Sequence, residues 1–189
     1  MRRTLYVKLL AAYLIFAVFG YITVATFMQQ MTMNQVEKEK VEALYRCATS
    51  FAENEALAVY KNELSLTNLK DSIDRTSKML DSAIFIVNPS GLIVASSESP
   101  LDVDKPYSIT NFDVTALSGS FYNVGNFYGE FDTPYLTVAC PVTSGYLVHG
   151  YVIVSCDMKN VEAAANHLVN IDYIFLLILF LLSLIILIF

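Results

Sequence analysis

Charge is absent from two stretches of the chain. From Leu9 to Met28 there is no Asp, Glu, Lys or Arg, and from Tyr173 to Phe189 the sequence is Tyr, Phe, Leu and Ile with a single Ser. About twenty helical residues, rising roughly 1.5 Å each, cross a hydrocarbon core of about 30 Å. Both stretches therefore predict transmembrane helices, because a helix closes its backbone hydrogen bonds within itself. The second stretch, seventeen residues to the chain end, falls slightly short of a full crossing.

Between the spans the periodicity changes several times. Residues Gln29 to Leu64 are rich in Glu, Lys, Ala and Met, contain no Gly or Pro, and place Leu44, Cys47, Ala48 and Phe51 at helical spacing. They predict one long helix that prolongs the first span. After a polar break at Ser65 to Asn68, where Thr67 or Asn68 can cap, Leu69, Ile73, Thr76 and Leu80 predict a second, shorter helix. Strand character begins at Ala83. Ile84 to Val87 and Leu92 to Ala95 flank Asn88-Pro89-Ser90-Gly91, where Asn suits the first position of a type I turn, Pro the second and Gly the fourth. Ser96 to Ser120 reads as loop with one short helix near Phe112 to Leu117. Three further strands are expected at Phe121 to Tyr128, Tyr135 to Val142 and Tyr146 to Cys156, the last two joined by a tight turn at Ser144 and Gly145. Met158 to Ile171 returns to helical composition, and no breaker separates it from the second span. The expected fold is α+β, an antiparallel five-stranded sheet with a long N-terminal helix, flanked by two transmembrane helices. The expected segments are 1–8 cytoplasmic, 9–28 the first span, 29–172 an outer domain and 173–189 the second span.

Charge orients this arrangement. Arg2, Arg3 and Lys8 precede the first span and hold the N-terminus in the cytoplasm. Gln29 to Asp172 contains the other nine Lys and Arg against all eighteen acids, a net of −9, so an acidic domain is expected outside the cell. Such a domain repels nucleic acid and is not drawn to anionic lipid headgroups; small ligands, cations and protein partners remain open. A cleaved signal peptide is the competing reading of the N-terminus, disfavoured by the length of the apolar run and the lack of a small-residue cleavage site. The second span ends without a Lys or Arg. The expectation is that an output region follows it, the alternative being a complete tail-anchored protein.

The two-span layout, Ile84-Phe85-Ile86-Val87-Asn88-Pro89-Ser90-Gly91 leading into the second strand, and Gly150-Tyr151-Val152-Ile153-Val154-Ser155-Cys156-Asp157 before the last helix together resemble the PAS-like extracytoplasmic sensors, also called PDC or single Cache domains, of membrane-bound histidine kinases and some chemoreceptors. The resemblance implies the sensing part of a two-component sensor kinase. ATP and Mg²⁺ would then act only in a kinase region beyond Phe189, and the partners would be a second copy of the chain, membrane lipid and, through that region, a response regulator. Outputs of chemoreceptor or cyclic-dinucleotide-synthase type, or a complete scaffold binding an extracellular partner, are the alternatives.

No catalytic constellation occurs: there is no phosphate-binding glycine loop, paired Cys-x-x-Cys, His-Glu-x-x-His or nucleophile elbow. The chain itself is not expected to be an enzyme or to hold a cofactor. Tyr107, Tyr122, Tyr128 and Tyr135 surround the irregular segment and, with Lys105, offer hydroxyls and a cation to a small carboxylate, against the plainer reading of tyrosine as sheet filler. In the resembled domains a ligand, where one exists, sits between the sheet and this segment. His149 adds an imidazole that titrates near neutral pH, or is simply a hydrogen-bonded strand residue; His167 is read as an interfacial polar residue. Asp102 and Asp104, and Glu130 and Asp132, offer oxygens to a hard cation but lack the Gly and Glu pattern of a calcium loop, so solvated charge is the simpler reading. Cys47, Cys140 and Cys156 are an odd set, expected as buried free thiols. With a turn at Ser144-Gly145, position 140 would oppose 149, leaving the two strand cysteines well apart.

Overall fold

The computed structural model describes residues 2–97, 107–113 and 121–188. The chain divides into two compact units, Met1–Glu37 with Val161–Phe189, and Lys38–Asn160.

In the first unit, helix α1 (Arg2–Ser50) and helix α4 (Met158–Ile188) supply two helices long and apolar enough to cross a membrane. Their large side chains face outward, with Phe16, Phe27, Phe175 and Ile178 exposed. The hydroxyls of Tyr13 and Ser183 share a hydrogen bond. The rings of Tyr21 and Tyr173 lie 6.5 Å apart. Thr23 and Thr26 donate back to the Phe19 and Ile22 carbonyls at 2.9 Å, which satisfies both hydroxyls within the helix.

In the second unit, α1 continues into a wider π-helical turn (Phe51–Ala56) and a last α turn, α2 (Leu57–Tyr60). The predicted long helix is present, with a π turn that periodicity did not indicate. Leu44, Ala48, Ala52 and Ala56 are buried at every fourth position. In an α-helix such a stripe drifts about 40° per step. Widening the turn keeps the alanines aligned on the sheet. Helix α3 (Leu66–Leu80) buries Leu69 and Ile73. Its cap is neither Thr67 nor Asn68: extended Ser65 (φ −77, ψ 149) accepts from the Asn68 N–H at 3.3 Å, so the helix starts before the expected caps. Asp81 closes it in the left-handed region at φ 49.

Strands β1 (Ala83–Val87), β2 (Ile93–Ser96), β3 (Phe121–Gly125), β4 (Tyr135–Ser144) and β5 (Leu147–Asp157) form one sheet in the order β2-β1-β5-β4-β3. Every pairing is antiparallel. The expected Asn-Pro-Ser-Gly turn joins β1 to β2: Asn88 Oδ1 accepts from the N–H groups of Ser90 and Leu92, each at 2.9 Å, and Gly91 N–H bonds the Asn88 carbonyl at 3.0 Å. Strand β3 stops at Gly125 rather than Tyr128. Phe127, Tyr128 and Gly129 take φ of 39, 56 and 85, which a pleated strand does not accommodate, and the chain curls so that Gly129 and Phe131 both donate to the Asn126 carbonyl. Phe112 and Asp113 are not helical, and the rest of the helix expected at Phe112 to Leu117 lies outside the described residues.

The β4–β5 loop is Gly145-Tyr146, since Ser144 pairs with Leu147. Gly145 carries φ 62 at the first loop position, which the mirror-image hairpin turns require. A bulge follows, because Thr143 opposes Val148 while Val142 opposes Gly150 and His149 is left over. Cys140 therefore opposes Val152, not position 149, while Cys156 opposes Leu136. The thiols still lie well apart, and all three cysteines are free.

Gly150 to Cys156 are buried without alternation, so β5 is covered on both faces. One face, with Leu136, Val138, Cys140, Val152 and Val154, lies under the α1 and π segment, where Thr49 Oγ1 is 3.6 Å from Cys140 Sγ. The other carries Tyr151 and Ile153.

Candidate functional site

The Tyr151 face is enclosed by the chain that returns over it. Val87, Ile109, Phe127, Phe131, Ala139, Tyr151 and Ile153 form a buried cluster, with Phe85, Ile93, Phe112, Tyr128 and Tyr135 packed around it. The aromatic rings meet in sequence. Phe112 is edge-on to Tyr128 at 5.8 Å and to Tyr151 at 6.1 Å, Tyr128 is edge-on to Phe127 at 5.0 Å, and Phe131 stacks on Tyr135 at 4.0 Å. Burial pushes the Tyr151 phenol above its ordinary range.

The segment 107–113 is fastened to the β1–β2 turn. Ile93 N–H donates to the Tyr107 carbonyl and Ile109 N–H to the Gly91 carbonyl, both at 2.9 Å. Gly91 has φ +86, and a Cβ there would stand 2.8 Å from Phe112 Cβ, so only glycine lets Phe112 approach this closely. Tyr107, more than half exposed, donates its hydroxyl to Glu130 Oε2 at the edge of the cluster. That bond, then desolvation and the Glu130 charge, raise the Tyr107 phenol. Tyr128 donates to the Asp113 carbonyl at 3.3 Å, tying the left-handed turn to the returning segment.

The structure thus packs Tyr128 and Tyr135 against one buried aromatic cluster and sets Tyr107 at its edge. His149 does not join them. As the extra residue of the bulge it turns to the helix-covered face, its ring 5.3 Å from that of Tyr60 in α2. Tyr122 opposes Val138 on that same face, where the edge strand leaves it exposed. Lys105, Asp102 and Asp104 lie outside the described residues. Among the described residues no group of three or more His, Cys, Asp and Glu side chains is gathered as for a metal, and Glu130 instead accepts from Tyr107. Phe112, Phe127, Phe131 and Tyr151 are the main linings that sequence reasoning passed over. The apolar run through β5 signals burial but not which alternate residues face the compartment.

Two thiols on the helix side, Cys47 and Cys140, are raised above their ordinary range. Burial, then the Glu55 charge, pushes Cys47 up; burial also raises Cys140, opposed by its Thr49 hydrogen bond and helped by Glu53. A raised thiol pKa favours the folded state fully below the unfolded thiol pKa of about 8.5, and that contribution disappears as pH climbs through the folded values. Unfolding midpoints measured across the alkaline range should therefore fall more steeply in wild type than in a Cys47→Ser/Cys140→Ser variant. Equal slopes would contradict the assignment.

No family model and no curated protein matches the sequence. Solved structures do match its fold. The E. coli DcuS sensor domain superposes with a TM-score of 0.56 at 12% identity, over 70% of this chain and 98% of that one. The sensor domain of the V. cholerae histidine kinase DctB gives 0.50 at 14%, over 75% and 59%. The ligand-binding domain of the Campylobacter jejuni chemoreceptor Tlp3, in complex with 4-methylisoleucine, gives 0.56 at 11%, over 77% and 62%. The chain thus spans only about three fifths of the DctB and Tlp3 domains. The five-stranded antiparallel sheet with its long N-terminal helix is the PDC, or Cache-type, sensor fold.

Proposed function

We propose that the chain is the stimulus-sensing and membrane-spanning part of a sensor histidine kinase, with its N-terminus in the cytoplasm, residues 29–172 outside the cell, and an output region following the second span. The observation that carries this reading is the aromatic cluster packed on Tyr151 and Ile153, because their strand β5 passes into α4 with no residue between Asp157 and Met158. The sensor domains of similar fold support it. A ligand seated on that face presses on the strand whose continuation is a membrane helix, and a shift of one or two ångströms along α4 is the transmitted signal.

The cluster favours a small ligand with an apolar part, with Tyr107, Tyr128 and Tyr135 supplying polar contacts; Lys105, which lies outside the described residues, is kept as the candidate cation for a carboxylate. The 4-methylisoleucine bound by the similarly folded Tlp3 domain is of this kind. In this reading two copies associate along α1, and the output region would use ATP and Mg²⁺ to phosphorylate itself and then a response regulator.

Two measurements test the proposal. A thermal-shift screen of the full chain in nanodiscs against amino acids and carboxylates should find a ligand that raises the midpoint. At about one hundred times Kd the gain is about 2.7 kcal/mol, several degrees for a domain of this size. A flat screen overturns the small-molecule reading. Protease added to intact cells should cut within 29–172, and protection of that segment overturns the orientation. The chemoreceptor alternative, which the Tlp3 likeness favours, predicts coiled-coil heptads rather than kinase motifs in the coding sequence after Phe189.

A further inference from the structure

The helix that crosses the sheet is α-helical through Ser50, π-helical over Phe51–Ala56 and α-helical again over Leu57–Tyr60. A π turn accommodates one residue more than the α-helix around it, has poorer hydrogen-bond geometry, and is rare. Here it aligns the alanine stripe but leaves two polar atoms stranded. Glu55 Oε2, within the π turn, and the Tyr60 hydroxyl, beyond it, are both shielded from solvent and have no hydrogen-bond partner among the described residues. Burial holds the Tyr60 phenol neutral. Tyr60 is pressed onto β5, where its hydroxyl lies 2.7 Å from the point a Cβ on Gly150 would occupy. The segment is thus held by apolar packing against the cost of two unpaired polar atoms, which narrows its margin over a regular α turn.

We propose that Phe51–Ala56 is a two-state turn, π in the state described and α in the other, and that its conversion re-registers α1 against Tyr60 and β5. One residue of α-helix is about 100° of rotation and 1.5 Å of rise. With Tyr60 seated on Gly150, conversion to α therefore turns the preceding part of α1 by about 100° against the sheet, freeing Glu55 to reach solvent. The signalling consequence rests on the sensor reading; the conformational pair does not. Displacement on the β5 face that loosens Tyr60 shifts the balance toward α, and the shift is delivered to α1, separately from the α4 route.

Hydrogen exchange on the full chain in nanodiscs tests the pair without any ligand. Glu55→Leu/Tyr60→Phe removes both stranded atoms and should slow exchange of amides 52–60 by about tenfold relative to wild type, while amides of α3 stay unchanged. Equal rates in the two proteins overturn the proposal. Deleting Asn54, which is exposed and whose side chain bonds Ser50, removes the extra residue and should lock the α form. The deletion keeps the flanking faces in register, so spin labels at Glu42 and Met79 should report one separation, that of the described state, where wild type adds a second, and two separations persisting in a cooperatively folding deletion also overturn the proposal. If the deletion does not fold, the exchange comparison decides alone. A switch confirmed in this way while the ligand screen stays flat would fail only the sensor reading.

Discussion

Gly150→Ala should cost the outer unit about 1 to 3 kcal/mol, the range for overpacking a well-filled interior, and lower its unfolding midpoint by several degrees. The added methyl would stand 2.5 Å from the Val87 carbonyl oxygen and 2.7 Å from the Tyr60 hydroxyl. The oxygen is backbone in β1, paired to β5 through Val87 and Tyr151, and cannot swing away. Gly150 does not have positive φ, so the cost is steric alone. Without it, Gly→Ala in an extended strand would be neutral or favourable by about 0.4 to 1 kcal/mol, through the unfolded chain. Gly125→Ala serves as the control, since its Cβ meets nothing nearer than Asn123 Nδ2 at 3.7 Å. Adding Tyr60→Phe should recover part of the loss, because it relieves one clash and removes a hydroxyl that has no partner among the described residues. A Gly150→Ala midpoint equal to wild type would mean that β1, β5 and α2 do not meet as described.

The architecture was legible because its signals are local and redundant. Leu69 and Ile73 at helical spacing, the Asn88-Pro89-Ser90-Gly91 turn, and the uninterrupted helical composition after Met158 each fix an element independently of the rest. Register was not legible, because it depends on a bulge. A slip at His149 moves every later pairing of β5, and a glycine turn reads equally well at Ser144-Gly145 or Gly145-Tyr146. The same slip sends His149 to the helix face and away from the tyrosines it was expected to accompany. The compartment was half legible. Tyr128 and Tyr135 border the irregular segment in sequence, whereas Tyr151, Phe112 and Phe127 meet them only through the left-handed turn at 127–129 and the close approach over Gly91. The π turn left no signal, since every-fourth-residue alanines read as an ordinary helix face.

In the proposed sensor, Ala163→Pro should disconnect sensing from output while leaving sensing intact. Ala163 is exposed, and it lies six residues into α4, past the first turn where proline is tolerated. Proline there removes the bond to the Lys159 carbonyl and drives its ring against that oxygen, at about 3 kcal/mol against the straight helix. The core residues of the Tyr151 face all precede α4, so the unfolding midpoint of residues 38–160 and the ligand-induced shift should stay close to wild type. A displacement of β5, by contrast, would be absorbed at the kink before it reached the apolar part of α4. On the proposed sensor reading, response of the full-length protein to its stimulus should fall by more than tenfold, and Ala163→Gly, which costs about 1 kcal/mol without a clash, should fall between the two. Output that follows the stimulus normally in Ala163→Pro would remove α4 as the carrier of the signal and leave α1, through the turn at Phe51–Ala56, as the route.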